Sequence, residues 1–228
     1  MVPERVEEER LLRMIHDLRN PLAVLMTNIE YVLAETALSG EARAALEDSL
    51  AAGRRMTRQL ESSLDLARLE RGDKVLKLAP VDLGGLLNMV ADRYRAVARD
   101  AKLQIETRVA PGLRANLDLD LVACVLQNII DNAIRYTRSG GRIRISVGPS
   151  NRSRFYEIRV ANTGEPIPLA MRASLLDRPP APKEPQSMCR DLGLYFGRLA
   201  IEAHGGRLRF VEEPEFPVVF VLEIPKAT

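Results

Sequence analysis

The sequence has few aromatic residues and few cysteines, and the low cysteine count excludes one class of protein. Aromatics make up 4% of the 228 residues and tryptophan is absent, as expected when much of a chain forms long helices that pack like coiled coils. The two cysteines, Cys124 and Cys189, are too few for a disulfide-stabilised scaffold. They favour a reduced, cytoplasmic protein.

The chain also lacks an excess of charge of one sign and a long apolar run. Its 33 basic and 31 acidic residues give a net charge of +2, which offers no electrostatic argument for nucleic acid as a partner. No apolar stretch approaches the roughly 18 residues of a membrane span, and the charged N-terminus shows no signal-peptide pattern. Hydrophobic residues make up 46% of the chain, enough for one large folded domain or two small ones.

Residues 4 to about 35 have the apolar spacing of one long helix. Positions separated alternately by four and three residues form a heptad seam: Leu11, Ile15, Leu18, Leu22, Leu25, Ile29 and Val32. After Ser39-Gly40, a second amphipathic pattern runs from about 41 to 70. One hairpin of two such helices cannot bury both apolar faces, so we predict that two chains pair into a homodimeric four-helix bundle.

Beyond Gly72 and a linker predicted at 72–80, the pattern changes to mixed helices and strands. Helices are predicted at 83–100, 119–137 and 191–204, and strands at 102–109, 113–117, 142–148, 154–161, 207–212 and 217–224. A proline-rich segment at 163–188 is predicted to be a loop. The predicted fold is therefore α+β: a helical hairpin in residues 1–71, then a layer of helices on a mixed sheet in residues 81–228.

The most distinctive motif is HDLRNPL, residues 16–22, within the first predicted helix. Proline inside a helix costs about 3 kcal/mol, so Pro21 suggests a site built around His16. In the heptad frame His16 takes a b position, on the solvent-facing shoulder of the bundle. Imidazole is a nucleophile near neutral pH, and Asp17 can orient the ring or accept its proton. Asn20 lies one turn further along the same face.

A second motif, QNIIDNAIRYT, lies in the helix predicted at 119–137. Asn128 and Asn132 are four residues apart, so both carboxamides project from one helical face. Carboxamide oxygens are neutral hard ligands, suited to a Mg²⁺ ion that already carries phosphates. Arg135 can neutralise phosphate charge, and Tyr136 offers a ring for an adenine. An ordinary amphipathic helix with solvated asparagines is the alternative interpretation.

These two motifs resemble the phosphoacceptor box and the N box of the histidine kinases of two-component signalling. The resemblance implies a dimerisation hairpin followed by an ATP-binding domain of the Bergerat (GHKL) type, an α/β sandwich. It implies ATP and Mg²⁺ as cofactors, with Asn132 as the magnesium ligand. It also implies transfer of a phosphoryl group from ATP to His16, and from there to an aspartate of a response-regulator receiver domain. Asn20 would position water for removing phosphate from that partner.

Two glycine boxes of the same family are similar to segments of this chain, with departures. Residues 160–168, VANTGEPIP, resemble the first box, with Asn162 at the usual aspartate and Pro166 at the second glycine. The resemblance places Asn162, Gly164 and Ile167 at the nucleotide. Asn162 can still accept a hydrogen bond from the adenine amino group, but without charge assistance, which is worth about 1 kcal/mol.

Residues 189–194, CRDLGL, resemble the second glycine box but keep only its last glycine. By this resemblance Gly193 and Leu194 contact the nucleotide. Asp191 is predicted to cap the following helix, where its carboxylate would occupy the N–H groups that a phosphate needs. A carboxylate there would also repel the triphosphate.

The altered boxes leave other functions open. The chain could be a pseudokinase with weak or no ATP binding, acting as a dimeric scaffold, as a phosphatase through Asp17 and Asn20, or as an acceptor for another kinase. It could also be a protein-serine kinase or another Bergerat-type ATPase with a decorative hairpin, an interpretation that the intact HDLRNPL motif disfavours. His204 is expected to cap the last helix or join the core rather than to catalyse.

Overall fold

The computed structural model describes the backbone of residues 3–177 and 188–227, and the side chains of residues 17–177 and 192–227. The chain divides into two compact units, Met1–Gly72 and Asp73–Thr228. The first is a helical hairpin and the second is a layer of helices on a sheet. This is the α+β fold that the sequence predicts. Within the described ranges, no helix has both the length and the apolar character that crossing a membrane requires.

The first unit consists of helix α1, Pro3–Glu35, and helix α2, Gly40–Arg71. Helix α1 continues through Pro21. Ser39 begins α2 by accepting a hydrogen bond from the backbone of Ala42, as an N-cap residue does. Gly72 ends it with φ of 73°, a left-handed conformation that glycine adopts without steric cost. Both predicted helices are confirmed.

Small and oppositely charged residues hold the two helices of the hairpin together. An added Cβ at Gly53 would lie 2.9 Å from Cγ of Met26, so the glycine permits the close approach of the helices. Ion pairs at 2.8 Å between Arg54 and Glu30, and at 3.7 Å between Arg19 and Glu61, connect the two antiparallel helices at their exposed surface.

The second unit contains a two-stranded sheet, a five-stranded sheet and four helices within its described residues. Its elements are β1 (Ala79–Asp82), α3 (Leu83–Asp100), β2 (Gln104–Val109), β3 (Arg114–Leu117), α4 (Leu119–Tyr136), β4 (Arg142–Pro149), β5 (Phe155–Asn162), α5 (Leu169–Arg172), α6 (Met188–Ala203), β6 (Arg207–Val211) and β7 (Val218–Pro225). Strand β1 pairs with β3. The larger sheet has the order β2-β4-β5-β7-β6, and all its neighbours are antiparallel except β2 and β4.

The main core lies between one face of the five-stranded sheet and helices α3, α4 and α6. Strand β4 alternates buried and half-buried residues along Arg142–Val147, the pattern of a strand with one face in the core. Strand β7 is buried on both faces. Phe216 is fully buried and covers the outer face of β7, where it packs with Val219 and Val221. Polar and charged residues occupy much of the remaining outer face.

Three local predictions are corrected by the structure. The predicted linker at 72–80 ends in β1, because Ala79 and Pro80 pair with β3. The segment predicted as a loop contains α5, and α6 begins at Met188 rather than at residue 191. Asp191 therefore lies inside α6 and is not its N-cap. No proline or glycine occurs between residues 186 and 192, so nothing in the local sequence delays the helix to residue 191.

Candidate active site

Helix α4 carries the N-box residues and is fixed at both ends. Asp118 caps its N-terminus, with Oδ1 accepting from the backbone of Leu121 at 3.1 Å. Its second oxygen, Oδ2, accepts from the backbone of Lys77 at 3.0 Å. The helix ends at Thr137, whose backbone is extended. Because one face of α4 is buried in the core, the opposite face presents Asn128 and Asn132 together, both half-buried.

Helix α6 packs beside this asparagine face. A Cβ built on Gly193 would lie 3.5 Å from Cβ and Cγ of Asn128, so the segment that resembles the second glycine box lies against the motif that resembles the N box. Leu194 is half-buried in the same helix. Residues separated by 65 positions in the sequence therefore meet at one place. The side chains of Cys189 and Asp191 lie outside the described residues.

The end of β5 forms the second wall of the candidate site. Asn162 is the last residue of this strand and only 2% of it is exposed. Its Nδ2 donates a hydrogen bond of 3.0 Å to Oγ1 of Thr137. This bond joins the C-terminus of the N-box helix to the first glycine box. Buried side-chain amides need such partners, because an unpaired polar group costs about 1–3 kcal/mol.

Gly164 is required here by space rather than by backbone conformation. An added Cβ would lie 2.5 Å from Nδ2 of Asn162 and 2.5 Å from the carbonyl oxygen of Tyr136. Thr163, the residue before it, accepts from the backbone of Arg142 at 2.9 Å through its hydroxyl, and its own N–H donates to the Arg142 carbonyl at 3.0 Å. The turn after β5 is therefore held close to the end of α4.

Arginines anchor the segment that leaves this turn. The Nε atom of Arg172 donates to the carbonyl of Ile167 at 2.7 Å, and Nε of Arg198 in α6 donates to the carbonyl of Leu176 at 2.9 Å. Glu165 pairs with Arg138 at the surface. The segment from the first glycine box to residue 177 is thus tied both to itself and to α6.

The remaining predicted nucleotide residues lie at the C-terminal end of α4. Arg135 and Tyr136 are both exposed, and the guanidinium of Arg135 lies 6.0 Å from the ring centroid of Tyr136. The exposed fraction of Tyr136 is 62%, which leaves the ring free to contact a base. Their roles toward phosphate and adenine stay predictions.

The phosphoacceptor motif lies in the first unit, in the middle of α1. The side chain of His16 lies outside the described residues. Asp17 and Asn20 are exposed, as a site that meets an external phosphate requires. Arg19 pairs with Glu61 of α2 at 3.7 Å, and both side chains are about half exposed.

Sequence reasoning missed the polar residues that support the site rather than form it. Thr137 and Thr163 hold the two walls together, and neither belongs to the predicted set. The signal for Thr137 was its place at the end of the QNIIDNAIRYT string, one residue beyond the helix. Arg172 and Arg198 gave no signal, because their partners are backbone carbonyls that only the folded chain brings near.

A helical hairpin followed by this sheet-and-helix unit defines a phosphoacceptor module joined to a GHKL-type ATPase module. Family models agree: the His Kinase A (phospho-acceptor) domain matches residues 8–72, and the histidine kinase-, DNA gyrase B- and HSP90-like ATPase domain matches residues 117–228. The chain therefore contains the two modules of a sensor histidine kinase core.

Several known proteins are similar to this chain over most or part of its length. The sensor protein IrlS of Burkholderia pseudomallei strain K96243 is 29% identical over 214 residues, covering 92% of this chain and 45% of IrlS. The crystal structure of full-length ShkA in complex with AMPPNP has a TM-score of 0.72 at 26% identity, covering 96% of this chain and 46% of that one. The catalytic domain of histidine kinase ThkA has a TM-score of 0.57 at 26% identity, over 66% of this chain and 97% of that one. The chain thus spans less than half the length of IrlS and of ShkA.

Proposed function

We propose that this chain is an ATP-dependent protein-histidine kinase that phosphorylates its own His16. The observation that carries the proposal is the convergence of separated motif residues. Asn128 meets Gly193, and Thr137 at the end of the same helix binds Asn162. These residues therefore lie around one helix, where a single nucleotide can contact them together.

In the proposed reaction a nitrogen of the His16 ring attacks the γ-phosphorus of ATP. A nitrogen–phosphorus bond forms, the bond from the γ-phosphorus to the bridging oxygen breaks, and ADP leaves with that electron pair. Asp17 accepts the proton that the other ring nitrogen loses. Most of the acceleration in such transfers comes from positioning and from neutralising phosphate charge, the latter a role for Arg135.

The side-chain oxygens of Asn128 and Asn132 suit a magnesium ion that binds together with the nucleotide. No group of three or more His, Cys, Asp or Glu side chains that could hold a metal occurs in the described part of the chain. The carboxamides of Asn128 and Asn132 provide neutral oxygen donors on one face of α4. Mg²⁺ commonly combines one or two protein ligands with substrate phosphates and water. We assign Asn132 as its ligand, and the ion would neutralise charge on the triphosphate.

The proposed assembly is a homodimer formed by the helical hairpin. The heptad a positions Leu22 and Ile29 are half-buried within a single chain. The d positions Leu18 and Leu25 remain 48% and 59% exposed. An apolar row uncovered by its own hairpin needs a second copy of that hairpin, and two-fold pairing gives a four-helix bundle.

The proposed acceptor of the phosphoryl group is an aspartate on the receiver domain of a response regulator. Its carboxylate oxygen would attack the phosphorus, the nitrogen–phosphorus bond would break, and the electron pair would return to the ring of His16. In a separate hydrolysis, Asn20 would orient a water molecule that attacks the phosphorus of the phosphoaspartate, so that inorganic phosphate leaves and the carboxylate is restored. Because ATP is the donor, we propose the cytoplasm as the compartment of this reaction.

Labelling with [γ-³²P]ATP and Mg²⁺ tests the kinase assignment. We expect an acid-labile, alkali-stable label on the wild type and none on His16→Gln, with His204→Gln as a histidine control that keeps the label. Acid-stable labelling would indicate a hydroxyl acceptor and reject the proposal. Absence of nucleotide binding at millimolar ATP would instead indicate a pseudokinase or scaffold.

Calorimetric titration of Asp191→Gly with ATP tests the altered second glycine box. Removing a carboxylate from the neighbourhood of the triphosphate is expected to tighten ATP binding, because like charges repel. An unchanged affinity would place Asp191 away from the phosphates. Glu202→Gln, an exposed position near the other end of α6, is the matched charge control.

A further inference from the structure

The amide of Asn162 can present two different faces to a ligand. A hydroxyl group both donates and accepts hydrogen bonds, whereas a side-chain amide has a donating nitrogen and an accepting oxygen. In the structure Nδ2 of Asn162 donates to Oγ1 of Thr137, so the amide oxygen points away from the threonine. If the amide rotates by half a turn, the hydroxyl of Thr137 donates to Oδ1 and the pair stays bonded.

The exchange keeps the buried hydrogen bond between the two side chains. Thr137 and Asn162 are both buried, at 8% and 2% exposure, so their mutual hydrogen bond does not compete with bulk water. Gly164 leaves room beside the amide, since any added Cβ would come within 2.5 Å of Nδ2. The nitrogen and oxygen of an amide have nearly the same size, so both orientations fit this space.

The two orientations suit different purines. With the oxygen outward, Asn162 accepts a hydrogen bond from the 6-amino group of adenine. With the nitrogen outward, it donates to the 6-oxo group of hypoxanthine or guanine. An ionised aspartate at this position accepts only, so a 6-oxopurine would place two acceptors against each other.

We infer that Asn162, through its exchangeable bond with Thr137, makes the nucleotide site accept 6-oxopurine triphosphates as well as ATP. This inference rests on the proposed function, because it assumes that the base of a nucleoside triphosphate lies against Asn162. It concerns the choice of base and leaves the phosphoryl transfer unchanged. Inosine triphosphate is the sharpest probe, because its base differs from adenine only along the N1–C6 edge.

Calorimetric titration of the full chain with ATP and with inosine triphosphate, both with Mg²⁺, tests the inference. We expect the wild type to bind the two within about tenfold of each other, because each finds one neutral hydrogen bond. In Asn162→Asp, ATP should bind more tightly and inosine triphosphate more weakly. The preference for ATP should rise by at least about tenfold, the equivalent of one lost hydrogen bond.

Variants of the partner residue test the mechanism. Thr137→Ser keeps the hydroxyl and should keep the wild-type ratio of affinities. Thr137→Val removes the group that satisfies both orientations, and we expect the ratio of the two affinities to move away from the wild-type value. If Thr137→Val and Thr137→Ser both leave this ratio at its wild-type value, the proposed exchange is rejected.

The outcomes separate this inference from the kinase assignment. Binding of ATP with inosine triphosphate more than about a hundredfold weaker would overturn the inference and leave the proposed function standing. An unchanged ratio in Asn162→Asp would also overturn it, because the base would then not be read by residue 162. Failure of the wild type to bind either nucleotide at millimolar concentration would overturn both.

Discussion

His204 accepts a hydrogen bond of 3.0 Å from the backbone N–H of Asp118 through its Nε2 atom. Its other ring nitrogen, Nδ1, lies 2.7 Å from the carbonyl oxygen of Ala200. Because Nε2 accepts, Nδ1 is the nitrogen that donates to Ala200, and the ring ties the C-terminus of α6 to the N-cap of α4. The bond to the Ala200 carbonyl is the capping role expected for His204, and the bond to Asp118 links the two helices that carry Asn128 and Gly193.

We expect His204→Ala to lower the free energy of unfolding of the second unit by about 1–3 kcal/mol, because it leaves the N–H of a buried residue unpaired. Urea unfolding of the full chain, followed by a signal from the second unit, measures the change. His204→Gln is the matched variant, since its amide oxygen can accept from Asp118. Equal losses in the two variants would contradict a role for this hydrogen bond.

Gly164→Ala is expected to damage nucleotide binding. Its Cβ would lie 2.5 Å from Nδ2 of Asn162 and from a backbone oxygen, so the bond between Asn162 and Thr137 must shift. We expect ATP affinity to fall at least about tenfold. Gly148→Ala, in open space on β4, is the control and should bind like the wild type. Calorimetric titration of both variants with ATP measures these affinities. Equal affinities would contradict an effect of crowding at Gly164.

Glu157 is the centre of a charge network on the outer face of the sheet. It accepts from Arg159 at 2.8 Å, from Arg209 at 2.9 Å and from Ser150 at 3.2 Å. We expect Glu157→Gln to lower the free energy of unfolding by about 1–3 kcal/mol, because it removes charge-assisted bonds at a buried position.

Glu165→Gln is expected to lower the free energy of unfolding less than Glu157→Gln does. Glu165 pairs with Arg138 at the surface, with side-chain exposures of 70% and 84%, and such exposed pairs contribute about 0–1 kcal/mol. Thermal unfolding of the two variants under the same conditions compares them. A larger loss for Glu165→Gln would show that burial does not set the strength of these ion pairs.

Leu25→Glu is expected to break the dimer. Leu25 occupies a d position whose side chain is 59% exposed in a single chain, and a charge there cannot be buried against a second hairpin without a large penalty. Sedimentation should detect monomers at concentrations where the wild type is dimeric. Thr27→Glu, at the exposed f position of the same helix, should remain dimeric; a dimer in both variants would place the interface elsewhere.

The sequence predicted the helices and strands in which apolar residues recur at a regular spacing. The heptad spacing of residues 11–32 gave α1, and the structure ends α2 at Gly72, where the glycine predicted a stop. The strands of the five-stranded sheet were predicted to within a few residues, because alternation of buried and exposed positions is a local property. Strand β1 is only four residues long and has no period to read, so it was assigned to the linker.

The start of α6 illustrates the limit of local reasoning. An aspartate before an apolar run is a common N-cap pattern, and Asp191 fits it by sequence alone. The helix nevertheless begins at Met188, three residues before Asp191. Local signals of about 1 kcal/mol decide a boundary only where nothing larger competes.

The amino-acid order by itself determined which chemical groups this protein carries: a histidine ahead of a helical proline, an asparagine pair at helical spacing, and an amide at residue 162. Tertiary structure alone decided which of them meet. The pairs Thr137 with Asn162, Asn128 with Gly193, and Asp118 with His204 are each separated by at least 25 positions. Such contacts depend on how the sheet and helices pack, and no local pattern encodes them.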